Sequence, residues 1–224
     1  MRVPIRFCAM SLLPNCARCS NPVFGLNYAN VIDPLLHDMR VFVLQFAGME
    51  AGESVLDVCC GSGAQVFEYA KQRIVATGID SNPSMLRLAQ KYARKFGSLN
   101  TSFQVADAAN LPFDDSSFDF TSISLALHEK ENSMRDLIIF EMRRVTRRSG
   151  SLIFIDFSTP LPRNALAFAI RKLEFLAGCQ HHKHFRDYVT HGGLERILEH
   201  NGLKAAKRAA LIGGNITIEL APNI

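Results

Sequence analysis

The sequence predicts an α/β fold: a mostly parallel, seven-stranded sheet with helices on both faces and an antiparallel hairpin at its C-terminal edge. Three observations carry this. Short apolar strands alternate with amphipathic helices between residues 55 and 157. The strands are nearly continuous runs of β-formers, such as "SLIFIDF", the pattern of strands covered on both faces. After the alternation ends, two more strand-like runs crowd around Gly213 and Gly214, the spacing of neighbouring antiparallel strands.

Taken in order, residues 1–27 read as an irregular leader, because Pro4 and Pro14 break its short apolar run before it could serve as a secretion signal. Residues 28–224 read as a single domain. Its opening, 28–50, is a lid region with a helix at 34–47, where Pro34 suits a first turn. Strand one spans 55–59 and its helix 64–71; strand two spans 74–79 and ends at Asp80. The helix at 82–96 is well punctuated, with Ser81 or Asn82 as cap, Pro83 in the first turn and Gly97 at the end. Strand three is 102–105, with Asp107 just beyond; strand four is 118–125, the next helix 132–147 and strand five 151–157.

Pro160 and Pro162 mark a change of character, and 160–200 reads as a substrate-side insertion. It holds an amphipathic helix at 163–177, an irregular connection at "CQHHKHFRDY" and a short helix in "GGLERILEHNG". Strands at 203–209 and 215–221 complete the sheet.

The chain has 224 residues, 48% hydrophobic and 21% charged, enough for one core-bearing domain. Its net charge of +4 is too small to argue for nucleic acid, yet it suits anionic substrates or a lipid surface. Cys59 and Cys60 stand side by side at a strand end, a poor basis for disulfides, so a reducing cytoplasm is the expected location. Cys16 and Cys19 have the spacing of half a zinc set without a second pair, and no metal is expected. Apolar runs of about 18 residues are missing, so no bilayer span is expected either.

The chemistry concentrates in "SVLDVCCGSGAQVFEYA". Gly61 and Gly63 sit where strand turns into helix, so a ligand can approach the backbone and meet unpaired N–H groups of the helix start. The dinucleotide fingerprint would need a third glycine at Val66, which counts against an NAD-linked oxidoreductase. Asp57 interrupts strand one, and Asp80 and Asp107 follow strands two and three. An acid at each successive strand end marks the edge where open α/β sheets bind ligands.

This ordered set resembles the class I S-adenosylmethionine-dependent methyltransferases over about residues 50–157, and more loosely beyond. Within them it is similar to the quinone-biosynthesis C-methyltransferases and their small-molecule and phospholipid relatives, through "DAANLPFDDSSFDF", "FEMRRVTRRSGSLIFIDFSTP" and the closing stretch from "GGLERILEHNG". The resemblance implies a Rossmann-like methyltransferase fold, S-adenosyl-L-methionine as cofactor, and methyl transfer to a small or lipid-like acceptor. It further implies a cofactor set of Asp57 at the methionine end, Cys59, Gly61 and Gly63 in the loop, and Asp80 at the ribose. Ser81, Asp107, Ala108 and Leu125 complete that set toward the adenine and strand four. Two departures stand out: Cys59 replaces a frequent glycine, and "LALHEKEN" lacks the Arg-Asn pair typical of the quinone enzymes.

On the acceptor side, His128 follows strand four and is the candidate base, against a surface histidine that merely starts the next helix. Tyr28 is the candidate aromatic lid over the sulfonium, against simple packing. Arg40, His181, His184 and Arg186 are candidate substrate contacts; the histidine spacing completes no zinc set. Arg143, Arg144, Arg147 and Arg148 close a helix and read as structural. The helix at 163–177 would roof the pocket or rest on a membrane, and the roof is preferred, with Phe168, Leu173 and Phe185 as pocket walls. Other acceptors in view are phospholipids and small amines, thiols or hydroxyls; a non-catalytic cofactor-binding protein is the remaining alternative.

Overall fold

A computed structural model describes residues 36–97 and 100–224. Tyr28, the cysteines at 8, 16 and 19 and the start of the lid region lie outside the described residues.

The elements are α1 (His37–Ala47), β1 (Ser54–Val58), α2 (Ala64–Lys71), β2 (Val75–Asp80), α3 (Pro83–Phe96), β3 (Thr101–Val105), β4 (Phe118–Ser124) and α4 (Asn132–Val145). They continue with β5 (Thr146–Phe157), α5 (Ala165–Leu176), α6 (Cys179–Thr190), α7 (Gly193–His200), β6 (Lys207–Leu211) and β7 (Ile216–Pro222). One sheet has the order β3-β2-β1-β4-β5-β7-β6. The pairs from β3 through β5 are parallel, and β7 runs antiparallel to both β5 and β6. This is the expected sheet with its expected edge.

Alternation along each strand builds the two cores. Leu56, Val58, Ile123, Leu152 and Phe154 face the layer containing Ile138, Ile139 and Met142 of α4. Val55, Ala76, Ile153 and Ile155 face the opposite layer, with Val66 and Tyr69 of α2 and Met39 and Val43 of α1. A smaller cluster, Leu161, Ala167, Ile170 and Phe185, lies beneath α5 and α6. Among the described residues no helix is long and apolar enough to cross a membrane.

Three boundaries differ from expectation. "CQHHKHFRDY" is not an irregular connection but the body of α6, where only Phe185 and Tyr188 are buried. Two apolar anchors three residues apart suffice for a helix docked on one side, and the polar majority hides the period. Strand five starts at Thr146, so α4 ends at Val145 and the arginine-rich "TRRSG" is strand. Asn223 holds that join, its Nδ2 donating to the carbonyls of Arg143 and Thr146. The last two strands begin later than read, because Leu203 instead closes α7, its N–H donating to Leu198 O.

Candidate active site

The chain leaves β1 toward β2 on one side, whereas β4 continues to β5 on the other, which opens a crevice at the carboxyl ends of the central strands. The loop after β1 is forced into that crevice by its backbone: Cys59, Gly61 and Gly63 all have positive φ, at 60°, 52° and 77°. At Gly63 a side chain is excluded twice, because a Cβ would also lie 2.6 Å from the Phe103 ring. Gly63 is the N-cap of α2 and brings no side-chain acceptor to the helix N-terminus, so the first N–H groups of α2 face the loop uncapped.

Asp80 ties this loop to β2. Its Oδ2 accepts from Gly61 N–H at 2.9 Å and its Oδ1 from Asn82 N–H at 2.8 Å. Asn82 in turn caps α3 by accepting from Ser84 N–H, which leaves Ser81 exposed and uncommitted to the cap. Beyond β3, Asp107 accepts from Ala109 N–H at 3.0 Å, with Ala108 buried beside it. Leu125, at the end of β4, has φ of 51° and donates its N–H to Ile155 O.

Asp57 is different in kind. It pairs with Gly78 and Ser122 in the middle of the sheet and is only 2% exposed. Burial pushes its carboxyl up to about 7, opposed by the Ser122 hydroxyl, which donates at 2.7 Å, and by Arg40, while Asp80 adds to the rise. The structure places Arg40 in this buried group, its carbonyl accepting from Gln65 Nε2. Burial also raises the Cys59 thiol to about 12 and Cys60 further still, so both are inert thiols that pack.

On the other side of the crevice, residues Leu127–Glu129 form a short 3-10 turn after β4. It holds His128, which is buried and clasped twice by Asp156 of β5. The His128 N–H donates to Oδ2 at 3.0 Å, and Nδ1 lies 2.7 Å from Oδ1. The ring packs at a tilt against Phe157, at 4.7 Å between centroids, with His181, Phe185 and Tyr188 around it. Nε2 points toward Glu174 Oε2, 3.7 Å away, and His181 Nε2 meets the same oxygen at 2.5 Å. Burial alone would lower the His128 pKa; the carboxylates of Asp156, Glu174 and Glu129 outweigh it and raise the value above the ordinary histidine range.

Arg135 fixes the arrangement. Its buried guanidinium donates to Leu127 O, Asn132 Oδ1, Asp187 Oδ2 and His184 O, which fastens the turn to α4 and α6. Of the expected substrate contacts, His181 joins His128, His184 supplies a backbone carbonyl to Arg135, and Arg186 is exposed on α6. Phe185 is buried against His128, whereas Phe168 and Leu173 are exposed, so they do not wall a pocket among the described residues. Sequence reasoning missed Asp156, Glu174 and Arg135. Asp156 carries the same signal as Asp57, an acid inside an apolar strand; Glu174 lies in an amphipathic helix, where glutamate is ordinary.

Residues 55–150 match the family model described as a methyltransferase domain. Those residues are thus similar to a methyltransferase domain. The chain is 34% identical over 127 residues to the ubiquinone/menaquinone biosynthesis C-methyltransferase of Citrifermentans bemidjiense, covering 54% of this chain and 52% of that protein. It is 32% identical over 135 residues to the 2-phytyl-1,4-naphtoquinone methyltransferase of Synechocystis, covering 58% and 55%. The chain thus spans about half the length of these curated relatives. A methyltransferase structure from Aquifex aeolicus superposes with a TM-score of 0.65 over 89% of this chain and 98% of that one, at 18% identity, which is a likeness of fold.

The residues at the carboxyl ends of β1, β2 and β3 fit S-adenosylmethionine. The left-handed glycines, the uncapped α2 N-terminus and the carboxylates after β2 and β3 give backbone donors and acceptors in the order a nucleoside with a charged tail needs.

Proposed function

We propose that this chain transfers the methyl group of S-adenosylmethionine to an oxygen-bearing aromatic ring of the quinol type. The single observation behind this reading is His128, buried in an aromatic box beside the crevice and held from two sides by Asp156. The curated relatives named for quinone methylation support the ring as acceptor.

The cofactor, when bound, supplies an already activated methyl group. The protein then has to align the acceptor and loosen its proton, since an ionised ring hydroxyl makes the adjoining ring carbon a stronger nucleophile. Phe157, Phe185 and Tyr188 offer apolar faces to a ring, and His128 Nε2 takes the hydroxyl proton, with Asp156 at Nδ1 stabilising the imidazolium that results. The loop at Gly61 to Gly63, with Asp80, would hold the donor. Cys59 and Cys60 take no part as nucleophiles, given their raised thiol values.

The test is transfer of labelled methyl from S-adenosylmethionine to a demethylated quinol, run beside a phospholipid vesicle and a simple catechol, with mass spectrometry locating the new group. Label on the quinol ring carbon is expected. Label on the phospholipid, or on none of the three despite cofactor binding, would overturn the acceptor assignment.

A further inference from the structure

We propose that His128, Glu174 and His181 form a binding site for a divalent transition-metal ion. These residues come from three separate elements, the turn after β4, α5 and α6, and their ligand atoms all lie within 4.8 Å of one another. Two imidazoles and one carboxylate are a donor set suited to zinc, iron(II) or manganese(II), with positions left over for further oxygen ligands.

The surroundings of the two rings make the case beyond mere proximity. Each histidine has a carboxylate at the nitrogen that faces away from Glu174. Asp156 Oδ1 is 2.7 Å from His128 Nδ1, and Glu129 Oε2 is 3.4 Å from His181 Nδ1. At His128 the Asp156 carboxylate holds the proton at Nδ1 and leaves Nε2 for a ligand, the arrangement that orients metal-bound histidines, and Glu129 stands ready to do the same for His181 once an ion occupies its Nε2. His181 Nε2 donates to Glu174 Oε2 at 2.5 Å and His128 Nε2 faces the same oxygen at 3.7 Å, so a metal ion would take the place of the shared proton and draw both nitrogens and the carboxylate onto itself. Metal–ligand bonds near 2.1 Å would set the donors about 3 to 3.4 Å apart. The 3.7 Å and 2.5 Å separations straddle that range, so the ion requires sub-ångström shifts and displaces the direct His181–Glu174 contact.

Charge points the same way. Among the described residues, Asp156 and Glu174 meet imidazoles and backbone N–H groups but no lysine or arginine, and Lys130 is engaged by Glu129. Two buried carboxylates without a permanent cation are costly, and a dication at Glu174 offsets that cost. Arg135 sets the spacing by bonding both Leu127 O, next to His128, and His184 O on α6. If the methyl acceptor is a quinol, the open metal positions receive its oxygen; the metal site itself does not rest on that reading.

The experiment uses the full chain stripped with chelator, titrated with Co²⁺ and followed by visible absorption, then competed with Zn²⁺ in a calorimeter. One equivalent of Co²⁺ with nitrogen and oxygen ligand bands is expected, displaced by Zn²⁺. Glu174→Gln and His181→Gln should each weaken binding at least about 10-fold, while circular dichroism and affinity for S-adenosylmethionine stay unchanged. No binding below millimolar concentration by the folded chain, or binding equal in both variants, would overturn the site. Methyl transfer at full rate after stripping would separate the two proposals, leaving the acceptor reading intact and removing any role for the ion.

Discussion

Asp80 and Gly61 are joined by a 2.9 Å hydrogen bond that runs from the loop after β1 to the end of β2. The same carboxylate accepts from Asn82 N–H, so one side chain sets both the glycine loop and the start of α3. Asp80→Asn keeps the shape but turns an acceptor-only group into one that must place an amide against a backbone donor. We expect S-adenosylmethionine affinity to fall at least about 10-fold, in line with a lost charge-assisted contact of about 1.5–3 kcal/mol. Calorimetric titration checks this, and unchanged affinity would mean that Asp80 serves only the loop.

Gly63 should refuse a methyl group. Its φ of 77° is disfavoured for any other residue, and the added Cβ would meet Phe103 at 2.6 Å. Gly63→Ala is expected to cost about 1–3 kcal/mol of stability. Phe103→Leu in the same chain should recover the part due to the clash and leave the part due to the backbone. Urea unfolding of the single and double variants separates the two; strict additivity would show that the ring is not what excludes the side chain.

Asp57 makes stability depend on pH in an unusual direction. Its folded value of about 7 stands above the ordinary 3.8, so between these values the folded protein holds a proton that the unfolded chain has released. Stability therefore falls as pH rises from about 4 to about 7 and levels off above. Asp57→Asn mimics the protonated form and can still accept from Ser122. The variant should match the parent near pH 4 and exceed it at pH 8, by a margin on the order of several kcal/mol. Parallel melting profiles across that window would contradict the assignment.

Much of the fold was legible because its signals are local. The run of β1 leads into Gly61 and that of β2 ends at Asp80, β4 and β5 are rich in β-formers, and α3 carries its cap, its first-turn proline and its closing glycine in sequence. Asp57, Gly61, Gly63, Asp80 and Asp107 were legible for the same reason, since each is an anomalous residue at a strand or turn. The acceptor side was only half legible. His128 could be placed after β4, but its burial depends on Asp156, Phe157 and α6, none of which is near it in sequence. The meeting of Glu174 with His181 depends on how α5 packs against α6, and α6 has too few apolar residues to announce itself as a helix.

Arg135 is the strongest single test of that acceptor side. Its side chain is 3% exposed and makes four hydrogen bonds: to Leu127 O at 2.9 Å, Asn132 Oδ1 at 2.6 Å, Asp187 Oδ2 at 2.9 Å and His184 O at 3.1 Å. The guanidinium also lies 5.6 Å from the Tyr188 ring centroid. Arg135→Met keeps the aliphatic stem but strands two carbonyls and Asp187, so a loss of about 3–5 kcal/mol is expected. Arg135→Lys keeps the charge but cannot reach all four acceptors, and should fall between the parent and the methionine variant. Because the turn at His128 loosens while the glycine loop does not, kcat for methyl transfer should drop further than cofactor affinity. Equal losses in both would mean that Arg135 supports the whole domain and does not specifically position His128.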